Sequence, residues 1–76
     1  MSKNSYFLTI GKFSVDGQEH IGYGIGCHQE NTNIIIEDIT LERNAMTELI
    51  DRCNALHLLT IHLYDVIEDF LVNQTN

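Results

Sequence analysis

Cys27, His28, Cys53 and His57 are residue types that ligate zinc. Cys53 and His57 stand four residues apart, a spacing that shares one helix face. Cys27 and His28 are adjacent on a segment that reads as a strand, so their side chains leave on opposite faces. No CxxC is present. The spacing therefore falls short of a zinc site, and Cys27, Cys53 and His57 remain an alternative reading only. Cys53 with His57 or His62 also draws a nucleophile and its base. Both cysteines fall on apolar stripes, among acidic neighbours that raise a thiol pKa. His62 and Asp65 have the spacing of a surface helix pair. No Ser or Thr sits in an elbow-like turn. Without a second catalytic element the chain reads as non-enzymatic and cofactor-free.

Gly22, Gly24 and Gly26 form a GxGxG run. A phosphate loop needs a strand, the loop and then a helix N-terminus. Here Tyr23, Ile25 and Cys27 continue a strand alternation through the glycines, so nucleotide binding is not expected. Glycine inside a strand marks a close approach of another backbone. Phe7, Phe13, Ile35 and Ile39 are expected on the same face as these glycines. A flat, glycine-floored, partly apolar face is a docking surface for a second copy or another protein. Phe7, Phe13 and Ile35 are its candidate contacts.

The last third of the chain is acidic. No Lys or Arg occurs from Cys53 to Asn76. Asp65, Glu68 and Asp69 share the polar face of the last predicted helix, a ridge suited to a basic partner. Mimicry of nucleic acid is one version of that ridge. Glu68 and Asp69 are expected in the final turns, where the helix dipole disfavours anions by about 0.3–1 kcal/mol each.

The elements that position these residues follow from periodicity. Tyr6 to Val15 and Gln18 to His28 alternate around Asp16-Gly17, a two-residue hairpin turn in which both positions need φ > 0. That turn sets Val15 against Gln18, Ile10 against Tyr23, Leu8 against Ile25 and Tyr6 against Cys27. These pairs are assigned to one large apolar face. The opposite face pairs Phe7 with Gly26, Thr9 with Gly24, Gly11 with Gly22 and Phe13 with His20. A turn centred on Glu30-Asn31 returns a third strand, Asn33 to Ile39, with Ile34 against Cys27 and Ile36 against Ile25. Thr40 is the predicted N-cap of a helix whose apolar stripe is Leu41, Ala45, Met46, Leu49, Ile50, Cys53 and Leu56. Thr60 is the predicted N-cap of a second, with Leu63, Tyr64, Val66, Ile67, Phe70 and Leu71 as its stripe. Leu59 would staple onto Tyr64. The polar tail follows Val72. The expected fold class is α+β: a three-stranded antiparallel sheet, then two helices on one face, βββαα in two layers.

Size and charge narrow the function. The 76 residues, 43% of them apolar, make one domain, with an ordered core expected over about residues 5–72. Such a core is thin, and an enclosed pocket of roughly 300–1,000 Å³ would consume much of it. Four basic against 11 acidic residues leave a net charge of −7. That balance disfavours nucleic acid and anionic membranes. No apolar run approaches the roughly 20 residues of a membrane span. Met1 to Ser5 lacks the apolar core of a signal peptide, so a cytoplasmic location is expected.

Several short segments resemble a family of small uncharacterised proteins of Firmicutes. They are Tyr23-Gly24-Ile25, Ile36-Glu37-Asp38-Ile39-Thr40, Cys53-Asn54 and the closing helix His62 to Leu71. The resemblance runs from about Gly22 to Val72. It implies a bacterial, cytoplasmic protein and supplies no catalytic residues. The sequence thus reads as a protein–protein interaction module, homodimeric or binding another protein. The alternative is a small metal- or ligand-binding regulator using the cysteines and histidines.

Overall fold

The computed structural model describes residues 5–29 and 32–74. The predicted Glu30-Asn31 turn centre and the extreme termini lie outside the described residues. Three strands, β1 (Ser5–Val15), β2 (Gln18–His28) and β3 (Asn33–Thr40), precede two helices, α1 (Arg43–Ala55) and α2 (Leu63–Gln74). A single 3-10 turn, Thr60–His62, joins the helices. The sheet is antiparallel with order β1-β2-β3. The fold is therefore the expected βββαα, α+β.

Asp16 and Gly17 both adopt positive φ, 51° and 80°, as the two-residue turn requires. Every predicted pair between β1 and β2 is present. Within the hairpin the face assignment differs at one pair, Val15 with Gln18. Val15 is odd-numbered like Phe7 and Phe13, and strict alternation puts it with them rather than with Ile10.

The largest departure from simple alternation lies in β3. Ile36 pairs with Ile25 and Thr40 with Tyr23, so Glu37, Asp38 and Ile39 oppose Gly24 alone. This is an extended β-bulge. Asp38 takes φ 54°, a left-handed conformation that reverses the alternation. Asp38 consequently reaches the outer face, where its carboxylate pairs with His20 at 3.5 Å. Ile39 turns inward and packs on the core instead of joining Phe7 and Phe13. A side chain at Gly24 would collide with the Ile36 carbonyl and with Thr9. The backbone approach expected at the glycine run is thus made by this chain's own β3.

Inner-face residues Tyr6, Ile25 and Cys27 meet Met46, Leu49, Ile50 and Cys53 of α1 and Leu63 and Ile67 of α2. Thr40 does not cap α1. It ends β3, and its hydroxyl accepts the Glu42 N–H at 3.1 Å. Glu42 holds the N-cap position without a side-chain cap. The helix starts later than predicted, which leaves Leu41 exposed in the connecting turn. At the other end Leu56 is the C-cap and is exposed. His57 follows with φ 51°. The His57 N–H bonds to the Asn54 carbonyl and the Leu58 N–H to the Cys53 carbonyl, the paired bonds of a Schellman motif. Thr60 opens the 3-10 turn, and its hydroxyl accepts the Gln29 amide at 2.7 Å rather than capping α2. Leu59, Tyr64 and Leu71 all remain exposed.

One contact ties helix to sheet edge. The Tyr6 N–H donates to Asn54 Oδ1 at 2.8 Å, and Asn54 Nδ2 donates to the Tyr6 carbonyl at 3.0 Å. The Tyr6 hydroxyl donates to the Leu58 carbonyl at 2.7 Å. Removing a partner from a buried backbone group costs about 1–3 kcal/mol. Asn54→Ala is expected to lower unfolding free energy by about 2 kcal/mol in urea titration, since two backbone groups lose their partner. His57→Gly is expected to raise it by about 1 kcal/mol, because glycine removes the left-handed penalty. In a domain this size, that gain corresponds to about 4–8 °C in Tm.

Candidate functional site

The helices do not close over the whole core. Between α1 and α2 runs an open groove of about 500 Å³. Leu49 and Cys53 of α1 and Val66 and Phe70 of α2 supply its apolar floor, with Leu58 at one end. Arg52 stands on the α1 wall, and His62, Asp65 and Asp69 line the α2 side. The local sequence explains this arrangement. Residues spaced three and four apart carry each helix's apolar stripe past the part that faces the sheet. The next positions on each helix are charged.

Asp65 and Asp69 are one turn apart and both border the groove. Glu68 is exposed beside them, over a shallow hollow shared with Val72. The structure therefore brings all three predicted ridge residues together. It removes the expected dipole penalty, however. α2 continues to Gln74, so Glu68 and Asp69 are mid-helix, beyond the reach of the C-terminal dipole. Asp69 also accepts a hydrogen bond from Asn73 Nδ2 at 3.4 Å.

The outer sheet face is organised differently from the expected bare floor. The Phe7 ring lies over Gly26, and the Phe13 ring lies against Gly11 and Gly22. Phe7 meets His28 with ring centroids 4.6 Å apart, and Phe13 stacks on His20 at 5.6 Å. Phe7 and Phe13 are half-buried by these contacts, and Gly22, Gly24 and Gly26 are buried. Ile35 is the exposed member of the predicted trio, at 51%.

Residues 2–73 match the profile of a family of unknown function. The chain belongs to DUF6514. No curated protein and no solved structure matches it. The DUF6514 match extends over β1, so the family includes the whole hairpin and not only the segment from Gly22 onward.

Cys27 and Cys53 are buried free thiols near Tyr6. His57 lies past the end of α1, so it does not share a helix face with Cys53. Among the described residues no three His, Cys, Asp or Glu side chains converge. Burial, and not the acidic neighbours expected from the sequence, pushes both thiols up; at Cys53 the Arg52 charge opposes that rise. Burial likewise pushes the Tyr6 hydroxyl up to about 12. These groups are held in the protonated form that suits packing, not nucleophilic attack.

The groove itself was not visible as a site in the sequence. Leu49, Val66 and Phe70 read only as core positions. The available signal was the breadth of the two stripes, which exceeds what a three-stranded sheet covers.

A group whose pKa is higher folded than unfolded stabilises the fold below its unfolded pKa, and that contribution fades as pH rises. For the thiols the loss begins above 9.0, and for Tyr6 it runs from 10.0 to about 12. The urea midpoint should fall from pH 9 upward. Tyr6→Phe, although less stable for want of its Leu58 bond, should flatten the part above pH 10. A midpoint constant from pH 8 to pH 11 would contradict this.

Proposed function

We propose that this DUF6514 chain is a non-enzymatic protein–protein interaction module and that the α1–α2 groove receives its partner. The observation that carries the reading is the groove: an apolar floor left open between two helices and bordered by charge. Exposed apolar clefts rimmed by polar residues mark interaction sites. The high thiol pKa values and the separation of Cys53 from His57 support binding over catalysis. The charge of −7 fits a protein partner better than nucleic acid or membrane. Among the described residues no helix is long and apolar enough to cross a membrane. A cytoplasmic setting in a Firmicutes-type bacterium accompanies the proposal, supported by the sequence resemblance.

A second reading is homodimerisation through the outer sheet face. The exposed Ile35 beside Phe7 favours it. The two surfaces can be separated by substitution. Wild type, Val66→Arg and Phe13→Asp proteins, each shown folded by circular dichroism, would be cross-linked in the native host and their partners quantified. The expected result is a partner set kept by Phe13→Asp and reduced at least about tenfold by Val66→Arg, equal to about 1.4 kcal/mol. Loss with Phe13→Asp, together with loss of a dimer in sedimentation, would transfer the interface to the sheet. A partner set unchanged in both variants would refute the groove.

A further inference from the structure

We infer that the groove's occupant is a basic amphipathic helix from another protein, about three turns long, with lysines or arginines on the side that meets α2. The inference rests on the groove being the docking site.

Three features of the walls select this occupant. The first is their secondary structure. Both walls are helices, whose backbone groups are satisfied internally. An extended peptide gains affinity by adding to a sheet edge, and the groove has none to offer. A helix brings its own satisfied backbone and needs only an apolar stripe. The second is length. α2 spans 12 residues, or about 18 Å of helix. A partner helix of that length presents anchors at i, i+3 or i+4, and i+7 to the floor formed by Leu49, Val66 and Phe70.

The third is charge. The α2 wall carries Asp65 and Asp69, with Glu68 alongside, and no Lys or Arg follows Arg52 in the chain. A long basic side chain can lay its methylenes on the apolar wall while its cation reaches these carboxylates. Arg52, on the opposite wall, favours an acidic or neutral flank there. A second copy is a poor occupant by the same criterion. Two copies each bring −7, and pairing α2 with α2 would set the carboxylates against one another.

The test is selection from a displayed library of helix-biased peptides of about 14 residues, with random flanks around an apolar stripe. The whole folded protein is the bait. The selected peptides are expected to carry Lys or Arg along one flank. Their affinity should fall at least about tenfold between about 0.05 M and 0.5 M salt, because exposed ion pairs are screened. The Asp65→Lys/Asp69→Lys double variant should bind them at least about tenfold more weakly, through the loss of two exposed ion pairs and the repulsion of two introduced cations. The same variant should select acidic flanks instead. Val66→Arg should abolish binding. Peptides with neutral or acidic flanks that are lost with Val66→Arg but unaffected by the double variant would overturn the basic occupant and leave the groove intact. Peptides indifferent to Val66→Arg, or no enrichment over blank support, would overturn both.

Discussion

The side-chain amide of Asn54 occupies the place that a fourth strand would hold beside Tyr6. It accepts from the Tyr6 N–H and donates to the Tyr6 carbonyl, as a neighbouring strand would. Edge strands must satisfy or hide these groups. Here the end of α1 does so, and the Tyr6 phenol answers by reaching the Leu58 carbonyl just past the helix. Strand, helix end and the start of the interhelical turn are fixed as one unit. The position of α2 depends on that unit, because the turn leaves from it. The lock fixes the C-terminal end of α1 to the sheet, and the groove lies between that helix and α2.

The two faces of the sheet have divided their roles. The inner face carries the helices and the core. Among the described residues the outer face carries no second layer, and it protects its glycine-lined backbone with its own rings. Phe7 lies where a side chain at Gly26 would otherwise stand, Phe13 lies over Gly11, and the Asp38 carboxylate fills the place at Gly22. The bulge contributes Asp38 to the same face, next to His20. A face that packs against itself has less surface left for a partner. The helical side, which leaves Val66 and Phe70 half-buried beside an acidic wall, has more.

Much of this fold was legible in the sequence, and the legible parts share a cause. Asp16-Gly17 defines one turn geometry, and a tight turn dictates the pairing of both strands for their full length. The placing of Ile34 and Ile36 on the core followed from apolar alternation. What was not legible involved conformations that side-chain pattern does not report. The left-handed Asp38 exchanged the faces of Asp38 and Ile39, though the sequence there still alternates. Thr40 and Thr60 look like N-caps, yet each spends its hydroxyl elsewhere, on Glu42 N–H and on Gln29. His57 ends α1 with a conformation usually given to glycine, which hid the helix boundary. Leu41, Leu56 and Tyr64 satisfied helical spacing but fell in turns or on the solvent side. For the site, the acidic ridge was readable because charge is local. The groove was not, because it depends on how far apart two helices stand.

The hairpin outruns its cover. β3 pairs with β2 only from Tyr23 onward, and the core ends near Leu8 and Tyr23. Beyond that line β1 and β2 continue as a two-stranded ribbon with Ile10, Val15 and Ile21 exposed, in a molecule 45 Å long and 18 Å thick. An isolated ribbon is marginally stable in water. Its amides can therefore exchange with solvent through local opening, while those beside Tyr6, Ile25 and Cys27 exchange only when the whole domain unfolds. The molecule carries a gradient of protection along a single pair of strands, rigid where the helices hold it and freest at its tip, beyond the His20–Asp38 pair that fastens β2 to the bulge of β3.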